Sequence, residues 1–268
     1  MASNAGPEGS SGVDLGRVIG RAFSTIGGNP AATLGIAFLF SALPTSLFSL
    51  LSQRMRPEAM DVANFSTWIG AAAVAGFVAF VLKLITQGAL TRATVNSETG
   101  ERASFADCAG TGLRAALPLF GLAILSGLAI MLGLMLLIVP GVILFTMWAV
   151  SGPAVVAERL GPIAAMRRSA ELTSGARWKV FGLLLLLLIG GAMLQGALAG
   201  TITQSYGGVQ QMGGVMAGGG LPTAWIIVNV LVTTVTGAVG AIVQASLYIE
   251  LREWKEGPAL DRLAEVFA

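Results

Sequence analysis

The side chains able to do chemistry in this chain form a short inventory, with no histidine, one cysteine (Cys108), 16 Lys and Arg and 14 Asp and Glu. The densest group is Glu158 with Arg159, Arg167, Arg168, Arg177 and Lys179. A carboxylate there can pair with a guanidinium and pin one element to another. The basic residues can also act together as a patch for anionic lipid headgroups, and this reading makes membrane lipid the expected partner. A second set, Lys83, Gln87, Gln195 and Gln244, is polar within otherwise apolar stretches, the pattern of an intramembrane polar site. Lys83 stands only seven residues, roughly 10 Å of helix, from the end of its stretch, so its ammonium can also snorkel to the headgroups. Single amides serve equally as hydrogen bonds between helices. The missing histidine excludes imidazole metal sites, His-based triads and proton relays, and the lone cysteine excludes an internal disulfide. No catalytic residue, metal or cofactor is expected, and a net charge of +2 is too small for a nucleic-acid partner.

These residues must be positioned by apolar helices. Of 268 residues, 54% are hydrophobic and 11% charged, against roughly a quarter charged in a soluble domain. The mean hydropathy is +0.78. A hydrocarbon layer about 30 Å thick needs some 20 apolar helical residues to cross it. Six stretches qualify, at about 30–51, 67–90, 117–138, 141–157, 178–199 and 223–249. The third and fourth come from one long apolar run, divided at Val139-Pro140-Gly141, where proline removes a helix donor and glycine permits a turn. The fold class is therefore all-α, a polytopic membrane domain over 13–257. Residues 1–12 read as a retained, disordered tail with no cleavable signal, and 258–268 as a cytoplasmic tail. The charge-free, glycine-rich segment 201–221 reads as flexible.

Thirteen of the 16 basic residues fall on the side of the termini, and only Arg54 and Arg56 on the other. This bias predicts cytoplasmic termini and a bacterial inner-membrane location. It puts the Pro140-Gly141 turn on the far side and Trp178 on the near side.

An internal repeat is also legible. Before the first span, Leu15, Val18, Ile19, Ala22, Phe23 and Ile26 make the stripe of an amphipathic helix, stopped by Gly27-Gly28-Asn29-Pro30. Before the third, Phe105, Cys108, Ala109, Gly112, Leu113 and Ala116 repeat the spacing, with Ser104 as N-cap. Before the fifth, Gly161-Pro162 opens a helix whose less polar face is Ile163, Met166, Ala170 and Thr173. The unit, an interfacial helix followed by two spans, is predicted three times. Gln87-Gly88-Ala89-Leu90 and Gln244-Ala245-Ser246-Leu247 extend the similarity to spans two and six.

From Pro153 to Trp178 the chain reads P-x4-E-x3-P-x2-A-x2-R-S-x2-L-T-x-G-x2-W, through Pro153, Glu158, Pro162, Ala165, Arg168, Ser169, Leu172, Thr173, Gly175 and Trp178, and Pro140-Gly141 precedes it. The motif resembles that of YciC-like bacterial inner-membrane proteins and of the membrane domain attached to some glycerophosphoryl diester phosphodiesterases. The resemblance implies an architecture. It does not carry over the phosphodiesterase activity, which in those proteins uses histidines of a separate barrel domain absent here. The expected function is a non-catalytic, lipid-interacting or scaffold module. The competing expectation is a small permease or exporter using Lys83, Gln87, Gln195 and Gln244.

Overall fold

The computed structural model describes residues 12–54, 62–98, 104–205, 207 and 223–257. Asp14 opens the first helix, α1 (Leu15–Gly28), its carboxylate accepting from the amides of Gly16 at 2.8 Å and Arg17 at 3.4 Å, which have no partner within the first turn. Asn29 leaves helical geometry (φ −150°, ψ 68°) and caps the next helix, its side-chain oxygen accepting from Ala32. That helix runs as α2 (Pro30–Ala37), one π turn (Phe38–Ala42) and α3 (Leu43–Arg54). There follow α4 (Val62–Glu98), α5 (Phe105–Leu136), α6 (Ile138–Met147), α7 (Ser151–Glu158), α8 (Pro162–Thr173), α9 (Arg177–Ser205) and α10 (Thr223–Glu256), with no strand among the described residues.

Among the described residues, six stretches are long and apolar enough to cross a bilayer: Pro30–Phe48, Ser66–Ser97, Phe105–Leu136, Ile138–Glu158, Arg177–Ser205 and Trp225–Glu256. Their inward faces meet in one core containing Ile36, Leu90, Leu119, Leu172, Leu183, Ile242 and Leu247. Large apolar side chains also cover the outside. Leu117, Met135 and Leu136 are each at least 80% exposed, a surface that water would penalise and lipid would not.

Four expectations are corrected. The stripe 105–116 is not a separate interfacial helix, because α5 runs unbroken from Phe105 to Leu136 through Pro118. No Gly-Gly-Asn-Pro stop intervenes there, and Ala115 and Leu119 stay buried on either side of the proline. Of the three predicted interfacial helices, only α1 and α8 are distinct elements.

The hairpin divides at Leu137, which is extended (φ −160°, ψ 145°), and Pro140 and Gly141 lie inside the first turn of α6. A proline there loses nothing, since its missing N–H would have had no acceptor within the helix. Gly141 serves close approach: a Cβ on it would stand 2.7 Å from the Leu134 amide nitrogen.

The fourth stretch is two helices, interrupted by a turn at Trp148–Val150 that the apolar run concealed. Finally, Thr201–Ser205 continue α9 as helix. The remainder of the 201–221 segment apart from Gly207, the tail up to residue 11 and the tail 258–268 lie outside the described residues, as do the flexibility readings made for them.

Candidate functional site

The turn at Trp148–Val150 leaves backbone groups without helical partners. Such groups are costly when buried, and more so away from water. The motif helix α8 supplies the partners. Ser169 Oγ donates to the Met147 carbonyl at 2.8 Å and accepts from the Val150 amide at 3.3 Å. Thr173 Oγ1 lies 3.3 Å from the same carbonyl. Both side chains are fully buried, as are Ala165 and Leu172. The inner face of α8 is thus Ala165, Ser169, Leu172 and Thr173, correcting the predicted face of Ile163, Met166, Ala170 and Thr173. Ile163 is 68% exposed. The small, hydroxyl-bearing side faces inward because the broken helix it meets needs hydrogen bonds as well as apolar contact.

Glu158, at the end of α7, accepts from Arg168 Nε at 2.8 Å and from the Tyr248 hydroxyl at 2.6 Å. The other side of the same guanidinium engages Glu256, which also accepts from Arg252 Nε at 3.0 Å. One arginine of α8 therefore ties α7 to the end of α10. Burial opposes its charge, but its hydrogen bonds to Glu256 and Glu158 outweigh that and raise its pKa beyond the ordinary guanidinium range.

The remaining motif residues are positional. Pro153 is buried in α7. Pro162 sits at the first position of α8 and lies against Gly121, where a Cβ would come within 3.1 Å of its ring. Gly175 turns the chain with φ +86°, a left-handed conformation that side chains resist, and Trp254 lies against it. Trp178 is 85% exposed and meets Phe181 edge to face.

The five basic residues grouped in the sequence divide. Arg168 is committed to Glu158 and Glu256, and the Lys179 ammonium donates to the Val13 carbonyl at 3.0 Å. Arg159, Arg167 and Arg177 are exposed. Arg159 adopts φ +53° at the end of α7, an uncommon conformation outside glycine that turns the chain sharply into α8.

The second set is not one site. Gln87 Nε2 donates to Gln244 Oε1 at 3.2 Å across α4 and α10, and both border a cavity of about 150 Å³ otherwise lined largely by apolar side chains. Lys83 and Gln195 are exposed and take no part in lining it. On α4, Lys83 stands one turn before Gln87, at the exposed flank of the face on which its buried neighbour Leu84 points inward. The tetrapeptides that matched in sequence face one another here, with Ala89, Leu90, Ala245 and Leu247 all buried.

Sequence reasoning missed the receiving end, the last two turns of α10. Glu250, 2% exposed, accepts from the Asp14 amide and pairs with Arg17 at 2.9 Å, and Glu253 pairs with Arg21 at 3.0 Å. The signal was present, since Arg17 and Arg21 share one face of α1 and Glu250 and Glu253 one face of α10.

The class defined by this arrangement is an all-α protein whose described residues include six stretches able to cross a membrane, one of them broken and capped from a neighbouring helix. The chain belongs to the family described as Domain of unknown function (DUF7847), which matches residues 13–251. No solved structure matches the chain.

Proposed function

We propose that the protein is a non-catalytic module of the bacterial inner membrane that binds anionic lipid at its cytoplasmic surface, with both termini cytoplasmic. The observation that carries this reading is the separation of charges around α8. Glu158 and Glu256 are consumed by Arg168, while Arg159, Arg167 and Arg177 remain exposed in the same stretch of chain, followed directly by the exposed Trp178. Guanidiniums beside an exposed tryptophan suit the headgroup region of a bilayer. The one-sided distribution of Lys and Arg supports the orientation. The resemblance of the Pro153–Trp178 motif to bacterial membrane domains supports the location, and α1 and α8 are distinct helices at two of the three positions where the repeat expects an interfacial helix. The permease reading has less support, because two of its four residues stand away from the Gln87–Gln244 pair.

The test is reconstitution of the full chain in nanodiscs mixing phosphatidylglycerol and phosphatidylcholine, with the lipid retained after extraction identified by native mass spectrometry. Enrichment of the anionic lipid is the expected result, and retention in proportion to the bilayer composition would refute the reading.

A further inference from the structure

The structure contains an apolar groove that neither the hairpin nor the ion-pair network requires. One wall is a single face of α6, through Ile138, Val142 and Thr146 with Val139 and Ile143 beside them. The other is the first turn of α9, Trp178 and Phe181, with Arg177 at its edge. The groove encloses about 490 Å³. It exists because the close contact of Gly133 with Gly141 draws α6 onto α5 by its opposite face, and the Ser169 and Thr173 hydrogen bonds hold the far end of α6 at α8.

We propose that this groove seats one acyl chain of an anionic phospholipid, with its phosphate against Arg177. This rests on the lipid-binding reading above and assigns it a site. Apart from the Arg177 guanidinium and the Trp178 indole at its edge, the lining offers no open polar group, since its one hydroxyl, that of Thr146, is already bonded to the Val142 carbonyl at 2.8 Å. An alkyl chain suits such walls, and the volume is of the order of a single one. At the mouth, Arg177 is exposed and pairs with no carboxylate among the described residues, so the one charge beside the groove is positive. Trp178 beside it has the amphipathic ring that settles at headgroup depth. An apolar slot with a single guanidinium at its opening is complementary to a lipid whose headgroup is an anion.

The experiment uses the full chain in the same mixed nanodiscs, with three variants. Val142→Trp fills the groove, Arg177→Gln removes the charge at an exposed position where folding is not at stake, and Arg159→Gln combined with Arg167→Gln leaves the groove intact. One retained phosphatidylglycerol per chain is expected in the wild type, with an approximately tenfold weaker retention in each of the first two variants and none of that loss in the third. If lipid is retained equally by Val142→Trp and Arg177→Gln but lost with Arg159 and Arg167, the groove is not the site while the lipid-binding reading stands. If the wild type shows no anionic preference, both fail. A mass of two chains that Val142→Trp converts to one would make the groove a contact between copies and overturn the proposal.

Discussion

The hydroxyl of Ser169 donates to the carbonyl oxygen of Met147 at 2.8 Å, and the hydroxyl oxygen itself accepts from the amide of Val150 at 3.3 Å. A single side chain on α8 thus bridges both sides of the break between α6 and α7. The motif residue is a cap supplied from another helix. Replacing it with alanine leaves the buried Val150 amide without this partner, a loss of about 1–3 kcal/mol, and leaves the Met147 carbonyl only the longer contact with Thr173 at 3.3 Å. Ser169→Ala should lower the thermal midpoint in detergent well beyond Ser24→Ala, whose exposed hydroxyl serves only its own helix. Equal midpoints for the two would show that the break does not depend on its cap.

Arg168 holds two carboxylates in a fork that lysine does not reproduce. Arg168→Lys should therefore destabilise nearly as much as Arg168→Ala, by about 1–3 kcal/mol at this partly buried site. The pH dependence follows from the direction of its shift. A cation whose pKa is raised by folding contributes stability that is fully present below its unfolded pKa and is lost only as pH rises through the folded value. For a guanidinium both lie above the accessible range, so this contribution should persist between about pH 7 and about pH 10. Comparing midpoints of wild type and Arg168→Ala across that interval checks it, and a shrinking difference would contradict the assignment.

Close approach of α4 and α5 rests on Gly112. A Cβ there would stand 2.4 Å from the Ile85 carbonyl oxygen and 3.0 Å from the Ala89 nitrogen, backbone atoms that cannot swing aside. Gly112→Ala should cost about 1–3 kcal/mol as the helices separate. Gly127, on the same helix, has nothing within 4 Å, so Gly127→Ala should be neutral or stabilising by up to about 1 kcal/mol. Unfolding midpoints of the two variants in one detergent decide between them.

The Gln87–Gln244 hydrogen bond reads as a contact between helices. A double-mutant cycle with leucine at each position should give a coupling of about 0.6 kcal/mol, the usual value for such bonds in membrane proteins. The double variant should retain native helicity by circular dichroism and behave close to wild type. Collapse of the double variant, with each single variant tolerated, would indicate that the amides line a space that must stay polar.

How far the sequence could be read follows from which constraints are local. A hydrocarbon layer demands a run of apolar residues, and a run is written in consecutive positions, so the six candidate spans and the all-α class were legible. So was the turn at Asn29, because its Gly-Gly-Asn-Pro signal lies beside it. Glu158 and Arg168 could be singled out because ten residues separate them. The break at Trp148–Val150 could not, since its neighbours are as apolar as any span and its caps lie on another helix at Ser169 and Thr173. The pairing of Gln87 with Gln244 crosses 157 positions, and a periodic pattern says which face is inward without saying which face it meets. Lys83, one turn before Gln87 on the same helix, and Gln195 on α9 are both exposed, and neither lines the cavity beside that pair. Composition and length determined that this chain is built from helices able to cross a membrane. Only the tertiary structure decided which polar groups are spent holding those helices together and that Arg177 stands exposed beside an apolar groove, because both depend on contacts between helices distant in sequence.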